Sequence, residues 1–301
     1  MKNVDFFIVG APKCGTTAMY SYLKRHPQIY FPEVKEPHYF GSDLDFHGQS
    51  RITLKQYEDL YKNASANQIL GDASVFYLLS EYAAVEIKKY NPEAKIIIML
   101  RDPIVVMHSF HSQRLYVGTE TIEDFIEALD AETDRKAGKR LPRHIGLRQG
   151  LYYRDVVRFD RQVERYLERF DNDHVHIVFY DDFSKDPRAS YEAICNFLGI
   201  TPELYFKFEP VNANKIVRYR WLRDVMKSKP KSFSRLYHIL IPHTALRHSF
   251  SKLINKFNLV HKIRTPIPED IMIKLRRELH ESVTGLEKMT GKDLSSWKAQ
   301  R

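Results

Sequence analysis

The sequence predicts a three-layer α/β fold, with a mainly parallel central sheet and helices on both faces. Three observations carry that reading. Asp5 to Gly10 is an apolar run that passes through a glycine-bearing loop straight into a helical pattern. Ala94 to Leu100 (AKIIIML) is apolar without polar alternation, the mark of a strand covered on both sides. Strand-like and helix-like segments then alternate as far as Gly199, and that alternation favours parallel pairing through crossover helices.

Taken in order, Asp5 to Gly10 reads as a buried strand and Ala11 to Gly15 as a loop. Thr16 to His26 is a helix with Tyr20 and Leu23 on one face, stopped by Pro27. Leu54 to Lys62 is helical, Ile69 to Gly71 is a brief strand, and Glu81 to Tyr90 is a helix ending before Pro92. The strand Ala94 to Leu100 runs into Arg101-Asp102-Pro103, where the proline suits the first turn of a further helix. Ile122 to Arg135 and Leu151 to Phe170 read as long helices, and Val175 to Tyr180 as another strand. Pro187 to Leu198 is a helix closed by Gly199.

Composition narrows the class. Hydrophobic residues make up 43% and charged residues 28% of the 301, enough for a core in a globular chain. The net charge of +9 favours an anionic partner: a nucleotide, an acidic glycan, a membrane surface or a nucleic acid. Cys14 and Cys195 are too few for a structural zinc site or a disulfide framework. No run approaches the roughly 18 apolar residues of a spanning helix, and no signal-peptide pattern precedes the first strand. A cytoplasmic protein is the expectation, or a catalytic domain trimmed of its anchor; Met1 favours the first. One domain over 1–301 is expected, with a basic helical subregion over about 221–301. No acidic residue occurs between Asp224 and Glu269, where Lys227, Lys229, Lys231, Arg235, Arg247, Lys252, Lys256, Lys262 and Arg264 all fall. That stretch is either a solvated face of a packed subdomain or a platform for an anionic acceptor or a peripheral membrane contact.

The sharpest motif is Gly10-Ala11-Pro12-Lys13-Cys14-Gly15-Thr16-Thr17. Its glycines have the spacing of a P-loop and Thr17 holds the Ser/Thr position, which makes the fold P-loop-like. The lysine is displaced: Thr16 stands where a nucleoside-triphosphate loop has Lys, and Lys13 lies within the loop. Backbone amides at a helix N-terminus still make an anion cradle.

The PKCGTT run resembles the 5′-phosphosulfate loop of the sulfotransferases that use 3′-phosphoadenosine-5′-phosphosulfate (PAPS), closest to the heparan-sulfate-type and bacterial branch. The resemblance implies that Lys13 contacts the phosphosulfate and neutralises the leaving group, with Cys14, Gly15, Thr16 and Thr17 holding the phosphate. Arg101 and Ser109 are similar to the family's 3′-phosphate element, R-[DN]-P-x5-S. On its own Arg-Asp-Pro could equally be a helix start capped by Asp102, or place Asp102 as a magnesium ligand. Lys35-Glu36-Pro37-His38-Tyr39-Phe40 resembles the segment that supplies the catalytic base, which implies Glu36 in that role and His38 as a second base or an orienting group. A surface ion pair for Glu36 and a packed ring for His38 are the plain alternatives. Gly71-Asp72-Ala73-Ser74 falls where many members have Gly-Glu-Lys/Ala-Ser-Pro; with no lysine at Ala73, no charge-based role is assigned there. Asn214, Arg218 and Arg220 fall where the family's last loop closes over the nucleotide, and Arg218 is taken as the contact.

The expected function is transfer of a sulfuryl group from PAPS to a hydroxyl or amine of a glycan, lipid or small molecule, leaving adenosine 3′,5′-bisphosphate (PAP). No metal and no nucleic acid are expected. The alternatives are a P-loop NTP-dependent kinase and a non-catalytic anion- or membrane-binding protein.

Overall fold

In the computed structural model, residues 2–203, 207–208, 216–217, 259–260 and 264–298 are described. A five-stranded sheet organises them: β1 (Phe6–Gly10), β2 (Ile29–Tyr30), β3 (Ile69–Asp72), β4 (Lys95–Leu100) and β5 (Val175–Phe179), in the order β2-β3-β1-β4-β5. Every pairing in it is parallel. All five residues of β1 are buried, as are Ile96 to Leu100 of β4. This is the burial expected of interior strands covered by helices on both faces. From β1 the chain first builds towards β2 and β3, then returns to add β4 and β5 on the other side. The order reverses between β1 and β4, and in open α/β sheets ligands bind beyond the strand C-termini at such a point.

The helices up to β5 are α1 (Thr16–Leu23), α2 (Leu54–Asp59), α3 (Ala83–Tyr90), α4 (Pro103–Val117), α5 (Phe125–Asp130), α6 (Glu132–Lys136), α7 (Tyr153–Val156) and α8 (Phe159–Leu167). After β5 come α9 (Tyr180–Lys185), α10 (Pro187–Leu198), α11 (Glu269–Thr290) and α12 (Ser295–Lys298). A short antiparallel pair joins β6 (Ile216–Val217) to β7 (Leu259–Val260). Local chemistry sets several ends. Pro187 opens α10 under an Asp186 cap, and Gly199 closes it in the left-handed conformation.

Two expected long helices are broken. The segment 122–135 becomes α5 and α6. Glu120 takes the amides of Thr121 and Ile122 at 2.7 and 2.9 Å, so the helix starts only where Asp124 caps it through the Glu127 amide. The segment 151–170 becomes a 3-10 turn, α7 and α8. The Gln162 side chain donates to the carbonyls of Asp155 (2.9 Å) and Val156 (3.3 Å), ending α7 and letting the chain turn at Arg158. Side-chain competition for backbone groups delays the first of these helices and interrupts the second, and hydrophobic spacing does not register it.

The apolar stripe Leu275, Leu279, Val283 and Leu286 packs α11 along α8. Arg276 of α11 pairs with Asp102, and Trp297 donates to Asp181 at 2.9 Å. These contacts tie the C-terminal helices to the ends of β4 and β5. Most of the acid-free stretch lies outside the described residues. No helix among the described residues is long and apolar enough to cross a membrane.

Candidate active site

A cleft of about 200 Å³ lies beyond the C-terminal ends of β1 and β4. Segments far apart in the chain line it: Lys13, Gly15, Thr16 and Thr17 after β1; Glu36; Arg101 after β4; Ser109 and Gln113 on α4; Tyr180 and Arg264.

The loop after β1 is anchored at its base, where the Ala11 amide donates to the Met99 carbonyl at 2.7 Å. Gly15 occupies the N-cap of α1 with φ of 89°, a left-handed backbone that suits glycine, and it supplies no side-chain cap. In the first turn of α1 the Ala18 amide donates to the Gly15 carbonyl at 3.0 Å, which leaves the amides of Thr16 and Thr17 with neither an intrahelical acceptor nor a capping oxygen, standing at the cleft. Lys13 also takes a positive φ, 68°, which costs a non-glycine residue on the order of 1 kcal/mol.

Three cations converge on this cradle. Burial holds Lys13 below the usual lysine range, and the nearby charges of Arg264 and Arg101 add to that depression. Burial likewise lowers Arg264, with Arg101 contributing. Arg101 lies over the ring of Tyr180, its Cζ 4.1 Å from the centroid, a cation–π contact that fixes the guanidinium. Charges crowded in this way repel one another until an anion neutralises them, so the cleft is built for a multiply charged anion.

Glu36 stands at the same cleft. Its carboxylate pairs with Lys35, and its Oε2 lies 3.5 Å from His38 Nε2. Burial pushes the Glu36 pKa up, but the hydrogen bond to His38 and the Lys35 charge outweigh it, leaving the group below the usual carboxylate range and ionised. His38 is not in the cleft lining. Its ring stacks on Phe46 at 4.5 Å and its Nε2 reaches Glu36 from behind, the geometry of an orienting group. Cys14 also lies off the lining. It is fully buried, its thiol donates to the Pro12 carbonyl, and burial raises its pKa to about 12. Such a thiol is inert. Asp102 caps α4 through the Ile104 amide at 2.9 Å and pairs with Arg276, so its carboxylate is committed to the scaffold. Arg218, with Asn214 and Arg220, lies outside the described residues.

The cleft thus unites Lys13, Gly15, Thr16, Thr17, Glu36, Arg101 and Ser109. Sequence reasoning missed Tyr180, Gln113 and Arg264 as lining residues. Gln113 is one turn beyond Ser109 on the same helix face, a signal that was available. Arg264 was visible only as one cation among nine.

The family model for the sulfotransferase domain matches residues 3–258. The chain belongs to the sulfotransferase domain family. A crystal structure of a sulfotransferase from Alicyclobacillus acidocaldarius superposes with a TM-score of 0.74 at 25% identity, covering 99% of this chain and 100% of that one. The bifunctional heparan sulfate N-deacetylase/N-sulfotransferase 2 of Homo sapiens is 28% identical over 298 residues, 93% of this chain and 32% of the relative. Carbohydrate sulfotransferase 15 of Mus musculus is 31% identical over 165 residues, 40% of this chain and 29% of the relative. The sulfotransferase therefore spans about a third of the length of these curated relatives.

Proposed function

We propose that this sulfotransferase moves the sulfuryl group of PAPS onto a hydroxyl or amine of a carbohydrate, with Glu36 as general base. One observation carries the reading: a cleft that gathers three cations and an uncapped helix N-terminus also holds one ionised carboxylate. Lys13, Arg101 and the amides of Gly15 to Thr17 fit the donor's phosphates, and Ser109 adds a hydroxyl. The attacking acceptor oxygen or nitrogen forms a bond to sulfur as the bond from sulfur to the bridging phosphate oxygen breaks. The acceptor's proton passes to Glu36, and the charge on the departing PAP is met by Lys13 and the loop amides. His38 holds the Glu36 carboxylate from behind. A carbohydrate acceptor is favoured by the names of the heparan sulfate and carbohydrate sulfotransferase relatives.

The kinase alternative is disfavoured by Thr16 at the lysine position and by the commitment of Asp102 to α4 and Arg276. Calorimetry with PAP, set against ATP with magnesium, separates the two. Mass-detected sulfation from PAPS across glycan, lipid and small-molecule acceptors then tests the chemistry. Binding of Mg·ATP without binding of PAP, or no transfer to any carbohydrate, would sink the proposal.

A further inference from the structure

Asp72, at the end of β3, is fully buried and has no lysine or arginine partner among the described residues. An uncompensated buried carboxylate is costly, and its retention calls for a reason. Three hydroxyls meet it: Ser74 Oγ–H donates to Oδ1 at 2.6 Å, and Tyr57 and Tyr77 O–H donate to Oδ2 at 2.8 and 3.0 Å. Each of Ser74 and Tyr77 has a single hydroxyl hydrogen, and Asp72 takes both. Their lone pairs are thereby turned outward. Ser74 Oγ accepts the His38 amide at 3.2 Å, and Tyr77 OH accepts the amides of Tyr39 at 3.0 Å and Phe40 at 3.3 Å.

These three amides lie just past Pro37, which follows Glu36, in a segment without regular secondary structure. Glu36 and His38 both hold positive φ, 61° and 50°, a conformation non-glycine residues adopt only when their surroundings impose it. Sheet and helix hydrogen bonds do not hold this segment; the Ser74 and Tyr77 hydroxyls accept its amides, and Arg51 donates to the Tyr39 carbonyl.

We propose that Asp72 is a positioning residue for the base loop. Its carboxyl group, as the acceptor of their hydroxyl hydrogens, fixes the hydrogen-bond direction of Ser74 and Tyr77, and through them the backbone that aims Glu36 into the cleft. The inference rests on Glu36 being the base. Asparagine in this place presents an N–H₂ donor to at least one hydroxyl, which loses the acceptor of its own hydrogen and must turn its O–H away from the native direction.

The test is kinetic and structural together. Asp72→Asn should lower kcat by about 10- to 100-fold, the scale of a small misplacement of a reacting group, while PAP affinity stays within about threefold. Ser74→Ala and Tyr77→Phe, each removing one arm, should show smaller losses of the same kind; they also stand in if Asp72→Asn does not fold. Placed in a Glu36→Gln background, each substitution should cost less than about threefold more, because its effect passes through Glu36. Amide hydrogen exchange should accelerate at His38, Tyr39 and Phe40 and not in the loop from Lys13 to Thr17. Unchanged kcat in a folded Asp72→Asn protein overturns the proposal, as does a full additional loss in the Glu36→Gln background. If Glu36→Gln itself keeps wild-type kcat, the base assignment falls and this account of Asp72 falls with it, whereas failure of Asp72 alone leaves the Glu36→Gln loss intact.

Discussion

Replacing Gly15 by alanine tests the cradle directly. A Cβ added there would lie 2.9 Å from Phe183 Cε1, 3.0 Å from Phe183 Cδ1 and 3.2 Å from Tyr180 Cδ2. Phe183 is only 4% exposed, so it cannot swing into solvent. Tyr180 carries the Arg101 guanidinium on its face and cannot move without moving that charge. The backbone adds a second cost, since φ of 89° is left-handed and disfavours alanine by about 1–2 kcal/mol. Forcing a methyl into packed surroundings adds about 1–3 kcal/mol. The total of about 2–5 kcal/mol is relieved most cheaply by distorting the loop, which is the structure that presents the amides. Binding must then restore the native loop, so PAP affinity should fall by at least about 30-fold. Titration calorimetry with PAP, paired with thermal unfolding, measures both quantities. Affinity within threefold of wild type at an unchanged melting temperature would refute the reasoning.

Lys13→Ala and Glu36→Gln should each lower kcat by about 100-fold or more, read in a sulfate-transfer assay with labelled PAPS. The charge of an anion in the cleft offsets the burial and the Arg264 and Arg101 repulsion that depress Lys13, so PAP binding should take up protons on the alkaline side. Calorimetry in buffers of different ionisation heat reads that uptake, which should vanish in Lys13→Ala. Glu132 is buried beside Arg154, and burial raises its carboxyl to about 7. The folded state therefore holds a proton that the unfolded chain releases near pH 4.5, so stability is fullest below that value and declines as pH rises through about 7. The loss is at most about 3 kcal/mol by linkage. Glu132→Gln should flatten this decline in chemical unfolding measured from pH 4 to 8. Breaking the buried Glu120–Arg135 pair (2.7 Å), which also accepts the Tyr153 hydroxyl, with Arg135→Met should destabilise by about 3–5 kcal/mol, measured in urea.

How legible each part was depends on how far apart its residues lie. The phosphate loop could be read because Gly10 to Thr17 are contiguous, and a strand, a turn and a helix start leave a local pattern of glycine and hydroxyl residues. The strands at Phe6 and Lys95 were equally plain, since full burial excludes polar side chains from both faces. Helices over 122–135 and 151–170 were misjudged because Glu120 and Gln162 capture backbone groups from outside the hydrophobic periodicity. Asp72 gave no charge-based signal, because the relevant feature was not a neighbouring lysine but two hydroxyls and three amides brought in by folding.

The amino-acid order alone determined the layered architecture and the glycine-bearing turn after β1, and it marked the small set of residues proposed to do the chemistry. These are short-range matters, governed by side-chain volume, glycine and the hydrogen bonds of neighbouring peptides. Tertiary structure decided which charges face one another: that Arg264 joins Lys13 and Arg101, that His38 backs Glu36, and that Asp102 serves a helix start. Electrostatic energy depends on separation through space and on exclusion of water, and neither is set by distance along the chain.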